Sequence, residues 1–174
     1  LKGRAAAILS FLNGISLRKP EAQHCAAAGA ALASLHAAGD GFEISRANAL
    51  SVEGWRELAA ATAARADAVQ GGLAQLIGET LATLARDWPR DLPVSVIHAD
   101  LFPDNVLMLG NRVTGLIDFY FACTDIRAYD LAVMHGAWAF DGKGENFSPQ
   151  VGVALIDGYT ASFGLSDAER AALP

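Results

Sequence analysis

The sequence contains little cysteine, and its cysteines are not arranged as a site. Only Cys25 and Cys123 occur among 174 residues, far apart and without a Cys-x-x-Cys pair. This usage excludes a disulfide framework, argues against a zinc site and favours a reducing compartment, so we predict a cytoplasmic protein. Both thiols are then expected to be small buried packing residues.

Excess basic charge and long apolar runs are also absent. Thirteen Lys and Arg against nineteen Asp and Glu give a net charge of −6, and the basic residues form no cluster. We therefore expect no binding to nucleic acid or to anionic lipid. No apolar stretch approaches the roughly 18 residues of a membrane span, so we expect no membrane insertion. Apolar residues still make up 52% of the chain, which excludes a disordered protein.

The first residues lack features expected at a natural chain start. Leu1 to Arg4 contain neither an initiator Met nor the apolar core of a signal peptide. The last residues, Ala171 to Pro174, follow closely on the start of a further predicted helix at Ser166. We expect the chain to be a piece of a longer one.

Hydrophobic periodicity predicts a mostly helical domain with a few short strands. Predicted helices run from Pro20 to Gly39, from after Ser51 to Gly71, from Leu73 to Trp88, from Ile126 to Phe140, from Ser148 past Tyr159, and onward from Ser166. Predicted strands are Ala5 to Leu9, Val94 to Ile97, Val106 to Leu109 and Val113 to Ile117. Gly110-Asn111 between the last two is typical of a tight turn. The predicted fold class is α+β, mainly helical, with a central β-hairpin.

That hairpin brings two oxygen-bearing side chains together. With Gly110-Asn111 as a two-residue turn, Leu107 pairs with Thr114, and Asn105 lies opposite Leu116 with Asp118 just beyond. Cross-strand neighbours lie about 5 Å apart, so we predict that Asn105 and Asp118 meet. Amide and carboxylate oxygens are ligands that Mg²⁺ prefers, and the hairpin mouth is therefore a candidate metal site.

Asp100 precedes this pair on the same loop. A carboxylate beside a metal-bound triphosphate can orient an attacking hydroxyl and accept its proton. The order His98, Asp100 and Asn105, then a hairpin and Asp118, matches a kinase catalytic loop followed by its metal-binding Asp. The alternative is that these residues are turn formers or caps.

Two further residues are candidates for supporting the catalytic loop. We expect His98 to hydrogen-bond the loop backbone rather than to titrate in a reaction. Asp130 begins a predicted helix, where it is either an ordinary N-terminal helix charge or a brace behind the catalytic loop.

These motifs resemble the kinase-like small-molecule phosphotransferases, which include aminoglycoside, choline and homoserine kinases, and among them the homoserine kinases of bacteria. The resemblance covers nearly the whole chain and is carried by residues 96–106, 115–125, 48–55, 11–14 and 21–36. It implies a protein-kinase-like C-lobe that uses ATP and Mg²⁺ to phosphorylate homoserine in threonine synthesis. Asp100 would be the catalytic base, and Asn105 and Asp118 would be the Mg²⁺ ligands.

The resemblance also implies a division of the chain. Residues 1–14 would be the strand of an interlobe hinge, whose backbone at Ser10, Phe11 and Leu12 hydrogen-bonds adenine, and residues 15–174 the catalytic lobe, incomplete at both ends. A plain buried strand is the alternative for the hinge segment. The chain has only three lysines, none on a strand followed by a helix with a partner Glu. We therefore expect the nucleotide lobe to precede residue 1 and the chain alone to be inactive.

The acceptor site is the least specific part of the pattern. Asp125 is a candidate for binding the ammonium group of homoserine, with a surface charge as the alternative, and for Arg127 we favour the surface charge. His135 and Trp138 are expected in the core rather than in a pocket. Rival functions are a related kinase for an aminoglycoside or amino alcohol, and a non-catalytic pseudokinase. The presence of Asp100, Asn105 and Asp118 argues against the second.

Overall fold

The computed structural model describes Gly3 and residues 8–173, and its elements follow the predicted mainly helical α+β class. The helices are α1 Ala22–Ala38, α2 Val52–Val69, α3 Leu73–Asp87, α4 Arg127–Ala139, α5 Pro149–Ser162 and α6 Asp167–Ala172. The strands are β1 Val94–Ile97, β2 Val106–Leu109, β3 Arg112–Leu116 and β4 Cys123–Ile126, with 3₁₀ turns at Pro103–Asn105 and Phe119–Phe121. No helix in the described part of the chain is long and apolar enough to cross a membrane.

The core lies where α1, α4 and α5 pack against the hairpin. Fully buried side chains of this core include Leu32, Leu101, Leu131, Met134, Leu155 and Tyr159. Helices α1 and α5 approach closely because Gly29 and Gly158 have no side chain at their crossing. A Cβ on Gly29 would clash with the carbonyl oxygen of Leu155, and one on Gly158 with that of Ala26. The core therefore holds α1 against α5, on the buried side of the loops that follow β1 and β3.

Two small antiparallel sheets carry those loops. Strand β1 pairs with β4, with Ile97 opposite Cys123, and β2 pairs with β3. Strand β4 was not predicted, because its buried residues, Cys123 and Ile126, are three apart and do not alternate. The predicted strand from Ala5 to Leu9 lies partly outside the described residues, and residues 8 and 9 form no strand.

The hairpin has the predicted turn but a different register. Leu109 pairs with Arg112 as predicted, yet Leu107 pairs with Gly115 rather than with Thr114. Thr114 is the extra residue of a β-bulge, and its hydroxyl donates to the carbonyl oxygen of Leu107 at 3.1 Å. The bulge shifts the open end by one residue, so Asn105 lies opposite Ile117, whose N–H donates to the Asn105 carbonyl oxygen at 3.0 Å. The predicted pairing of Asn105 with Leu116 is wrong.

Helix ends follow the predicted signals to within two residues. Helix α1 begins after Glu21, which forms a capping box with His24, rather than at Pro20. Helix α4 begins one residue later than predicted, because Ile126 ends β4. Ser166 and Glu169 form the predicted capping box of α6.

Candidate active site

The loop after β1 is held from behind by one carboxylate. Asp130, fully buried in the first turn of α4, accepts the N–H of His98 at 2.7 Å and the N–H of Ala99 at 2.8 Å. Ala99 has φ of +63°, a left-handed conformation that is strained for a residue with a Cβ. The two hydrogen bonds to the carboxylate stabilise this turn. Because Asp100 is the next residue, the turn sets the direction of the backbone at Asp100. These are the contacts that the bracing interpretation of Asp130 describes.

His98 connects this loop to the loop after the hairpin. It is fully buried, and its Nε2 hydrogen-bonds the carbonyl oxygen of Ile117 at 2.9 Å. Its ring packs on that of Phe119, with centroids 4.7 Å apart. Ile117 and Phe119 are the chain neighbours of Asp118, so His98 holds the residue on either side of Asp118. The His98 side chain thus contacts the backbone of the loop after the hairpin.

The structure places Asp100 and Asn105 in direct contact. The Asn105 amide donates to the Asp100 carbonyl oxygen at 2.7 Å and lies 3.4 Å from Oδ2 of the Asp100 side chain. Asp118 follows the Asn105–Ile117 pair by one residue and adopts a left-handed φ of +61°. The hairpin thus brings Asp100, Asn105 and Asp118 to one end of the sheet.

Three carboxylates, those of Asp100, Asp104 and Asp118, make this end of the sheet acidic. Burial raises the pKa of Asp100, and the carboxylates of Asp118 and Asp104 raise it further, against the opposing effects of His98 and the Asn105 hydrogen bond. In the described part of the chain, none of these three carboxylates forms an ion pair.

These residues fit a magnesium ion. Asn105 and Asp118 offer oxygen ligands, and carboxylates without an ion-pair partner among the described residues favour a divalent cation. Among residues 8–173, no group of three or more His, Cys, Asp or Glu side chains could hold a metal. Mg²⁺ keeps several waters and is commonly bound through one or two carboxylates plus substrate phosphates, so a set completed by a nucleotide is the expected one.

The segment proposed as a hinge runs along the outside of the hairpin. Residues 8–14 form neither a hinge strand nor a plain buried strand, and Phe11 is 89% exposed. Leu12 lies over Gly115, where an added Cβ would clash with it. Ile15 exchanges two backbone hydrogen bonds with Met108, at 3.0 and 2.9 Å. Ser10, Phe11 and Leu12 are therefore accessible next to β3.

Asp125 lines an open cleft of about 960 Å³ between the segment 47–61, Trp88 and β4. Its carboxylate accepts from the Asn48 amide at 2.8 Å and from the N–H of Ile126 at 2.7 Å. Glu53 and Glu57 also line the cleft, and its described lining contains no Lys, Arg or His. The cleft therefore favours a positively charged group.

Three aromatic rings pack together near the N-terminus of α2, beside this cleft. Trp55, Trp88 and Tyr129 pack against one another with centroids 5.6 to 6.4 Å apart. Because the rings contact each other edge to face or tilted, they anchor α2 rather than form an open cage.

Arg127 differs from its prediction. Its guanidinium donates to buried Glu169 at 2.8 Å and stacks on Phe163, with Cζ 4.6 Å from the ring centroid. It is a structural ion pair that ties α6 to α4, and the surface-charge interpretation is wrong. Trp138 lies in the core as predicted, where its indole N–H donates to the Leu101 carbonyl oxygen at 2.8 Å. His135 packs against Phe147, away from the cleft.

Sequence analysis missed three residues that support the site. Arg46 donates to the carbonyl oxygens of Tyr120 and Ala122 at 2.8 and 3.3 Å, which ties down the segment after Asp118. The buried His36 hydrogen-bonds Asp130, and the buried Tyr159 hydrogen-bonds His36. The available signal for His36 was a polar side chain on the apolar stripe of α1.

Comparisons with known proteins show which family this chain matches. The model of the phosphotransferase enzyme family matches residues 1–172. Homoserine kinases of Sinorhizobium fredii and Rhizobium meliloti are 56% and 55% identical over all 174 residues. The chain spans about half the length of these curated relatives, 53% in both cases.

Solved structures share the fold. An aminoglycoside-3′-phosphotransferase of type VIII superposes with a TM-score of 0.69 at 29% identity, over 92% of this chain and 63% of that one. Choline kinase from Cryptosporidium parvum superposes with a TM-score of 0.65 at 16% identity, over 92% of this chain and 57% of that one, a likeness of fold alone.

Proposed function

Because the chain belongs to the phosphotransferase enzyme family, we propose that the complete protein transfers the terminal phosphate of ATP to the hydroxyl of L-homoserine. The observation that carries this proposal is the 56% identity to a homoserine kinase across the whole chain. The chain would be the catalytic lobe, and a nucleotide-binding lobe would lie elsewhere in the same protein. The reaction would serve threonine synthesis in the cytoplasm, where ATP and free amino acids are available.

Asp100 is the proposed catalytic base. Its carboxylate would accept the proton of the acceptor hydroxyl as that oxygen attacks phosphorus. The hydrogen bonds of Asp130 to His98 and Ala99 support this role, because they fix the strained turn from which Asp100 extends. His98 would keep the Asp118 loop at a fixed distance from that turn.

Asn105 and Asp118 are the proposed Mg²⁺ ligands. The Asn105 amide N–H₂ already donates to Asp100, which leaves its oxygen as the natural ligand atom. When bound, the ion would neutralise charge that develops on the phosphates. The exposed backbone of Ser10, Phe11 and Leu12 would bind adenine through N–H and C=O groups, for which apolar side chains are no obstacle.

The acidic cleft is the proposed acceptor site. Asp125 would bind the acceptor ammonium with one of the lone pairs left over from its contacts with Asn48 and Ile126. Asp125 follows Cys123, the partner of Ile97, by two residues. Asp125 therefore lies on the strand that pairs with the one leading into the loop of Asp100. The acceptor would extend from this strand toward Asp100.

A second candidate acceptor is a larger cationic amine. The cleft volume of about 960 Å³ and its three carboxylates exceed what one ammonium needs. Phosphate transfer by the complete protein to an aminoglycoside or choline, with homoserine unchanged, would favour this candidate. An ADP-release assay over homoserine, serine, choline and an aminoglycoside decides between the two.

The role assignment is tested by two substitutions in the complete protein. We expect Asp100→Asn to lower kcat about 10²- to 10⁴-fold, the usual effect of losing a general base, and to leave nucleotide binding nearly unchanged. We expect Asp118→Asn instead to raise the Mg²⁺ concentration needed for half-maximal ADP release. Nucleotide affinity is measured by calorimetry at each Mg²⁺ concentration.

Asp157→Asn is the matched control, because Asp157 is exposed on α5. It should change neither quantity. An equally mild defect in both test variants would contradict the separate roles of base and metal ligand. Nucleotide binding without a metal requirement and without ADP release would indicate a non-catalytic lobe instead.

A further inference from the structure

A buried chain of three side chains leads from α5 to the catalytic loop. The Tyr159 hydroxyl lies 2.8 Å from Nδ1 of His36, and Nε2 of His36 lies 3.0 Å from Oδ2 of Asp130. The same Oδ2 accepts the N–H of His98, and Oδ1 accepts the N–H of Ala99. All three side chains are at most 1% exposed, so bulk solvent does not reach these contacts.

With a neutral His36 ring and an ionised Asp130, the hydrogen-bond inventory gives this chain of contacts one direction. An ionised carboxylate only accepts, so Nε2 of His36 must carry the proton it donates to Asp130. In the neutral ring, Nδ1 then accepts, and the partner within reach is the Tyr159 O–H. Burial raises the pKa of Tyr159 well above its ordinary value, which keeps that hydroxyl a donor.

We propose that Tyr159 is a positioning residue of the phosphotransferase site, which acts by holding His36 in the Nε2–H tautomer so that Asp130 keeps three hydrogen bonds. Without the hydroxyl, Nδ1 is a buried acceptor with no partner, and the Nδ1–H tautomer gains population. That tautomer presents a lone pair to the Asp130 carboxylate, which repels it. The contacts that hold His98 and Ala99, and with them the direction of Asp100, then loosen.

The first test is spectroscopic and does not depend on the acceptor. In the complete protein with ¹⁵N-labelled histidine, we expect His36 to show a protonated Nε2 and an unprotonated Nδ1. Tyr159→Phe should move the two nitrogen shifts toward each other and shift the Ala99 amide resonance. A protonated Nδ1 in the unchanged protein, or unaltered His36 shifts in the variant, would overturn the proposal.

The second test is kinetic and rests on the proposed phosphotransferase activity. We expect Tyr159→Phe to lower kcat about tenfold, the equivalent of roughly one net hydrogen bond, with KM for nucleotide and acceptor changed less than about twofold. Measurements are made well below the unfolding temperature of each variant. Equal kcat, or a rise in KM alone, would contradict positioning of the catalytic loop.

A double-mutant cycle separates positioning from general loss of packing. Glutamine can present an N–H₂ near the position of Nε2 without needing a partner at Nδ1, so His36→Gln should make Tyr159→Phe nearly silent in kcat. Thr160→Val is the matched control, since Thr160 carries a buried hydroxyl on the same helix with no partner among the described residues. It should leave kcat and the His36 shifts unchanged. An equal loss from Tyr159→Phe in both backgrounds would overturn the route through His36.

If the complete protein transfers phosphate to none of the acceptors, the proposed function fails, whereas the tautomer measurement still decides whether Tyr159 controls His36.

Discussion

At the scale of single residues, the loop after β1 depends on one buried carboxylate, that of Asp130, which accepts three hydrogen bonds. Burying the Asp130 carboxylate without partners would lower the free energy of unfolding by several kcal/mol. Here the carboxylate accepts hydrogen bonds from two backbone amides and one imidazole. The hydrogen bonds that satisfy it also hold the left-handed turn at Ala99. The same contacts thus satisfy the buried charge and fix the loop that carries Asp100.

The two cysteines are expected to be unreactive in the folded protein. Burial raises the pKa of Cys25 and of Cys123 to about 11, and Asp125 and Asp130 contribute at Cys123. Because the thiolate is the nucleophile, we expect iodoacetamide at about pH 8 to label neither thiol on the time scale that labels the denatured chain completely. Peptide mass spectrometry measures the labelling. Rapid labelling of the native protein would contradict the burial of these side chains.

The same shifts predict how stability depends on pH. The folded state favours the protonated thiols more than the unfolded state does, since their pKa rises from 9.0 to about 11 on folding. Their contribution is complete below about pH 9 and is lost as the pH rises toward 11. Cys25→Ala should therefore reduce the fall in unfolding free energy over this range, measured by urea denaturation. An unchanged fall would assign the effect to other groups.

The site residues that could be predicted from the sequence are those whose partners lie close by along the chain. Asp100 and Asn105 are five positions apart, and one turn and one hairpin bring them to Asp118. His36 and Tyr159 were not predicted as site residues, because their hydrogen-bond partners are separated from them by 94 and 123 positions. Periodicity placed both on apolar stripes of helices, which says that they are buried but not what they contact.

At the scale of elements, the hairpin register shows the limit of counting from a turn. Gly110-Asn111 correctly predicted the pairing of Leu109 with Arg112. The bulge at Thr114 has no sequence signal of its own, and it arises where the segment containing Gly14 packs against Leu107 and Thr114. Tertiary packing therefore decides which residue lies opposite Asn105, although the predicted closeness of Asn105 to Asp118 needs only the hairpin.

The crossing of α1 and α5 predicts opposite effects for two glycine substitutions. We expect Gly29→Ala to lower the unfolding free energy by about 1–3 kcal/mol, because its Cβ would meet the Leu155 carbonyl oxygen on the facing helix. Gly136→Ala in α4 has open space around its Cβ, and we expect it to raise the unfolding free energy by about 0.5–1 kcal/mol through helix propensity. Urea denaturation of the complete protein measures both.

This pair of substitutions isolates the crossing from helix propensity. Both replace a helical glycine by alanine, so propensity alone favours both. A stabilising Gly29→Ala would show that the two helices can separate at little cost, and would contradict the close approach that fixes α1 behind the catalytic loop.

At the scale of the whole molecule, charge is divided between distinct regions. The described carboxylates at the hairpin mouth form no ion pairs, whereas Glu169 is buried against Arg127. Composition predicted the net charge of −6 but not this division. Within the described chain, the carboxylates at the hairpin mouth are left without an ion-pair partner for the proposed metal ion, while the buried Arg127–Glu169 pair ties α6 to α4.

The proposed acceptor role of the cleft around Asp125 predicts that substrates of different charge respond differently to salt. Homoserine is a zwitterion without net charge, so its ammonium is bound at short range, and we expect kcat/KM to change less than about twofold between roughly 0.05 and 0.5 M KCl. A polycationic aminoglycoside would be attracted by Glu53, Glu57 and Asp125 together, and its binding should weaken steeply over the same range. Glu57→Gln should reduce that slope and leave the homoserine value nearly unchanged. A steep salt dependence with homoserine would mean that net charge, rather than local contact with Asp125, governs acceptor recognition.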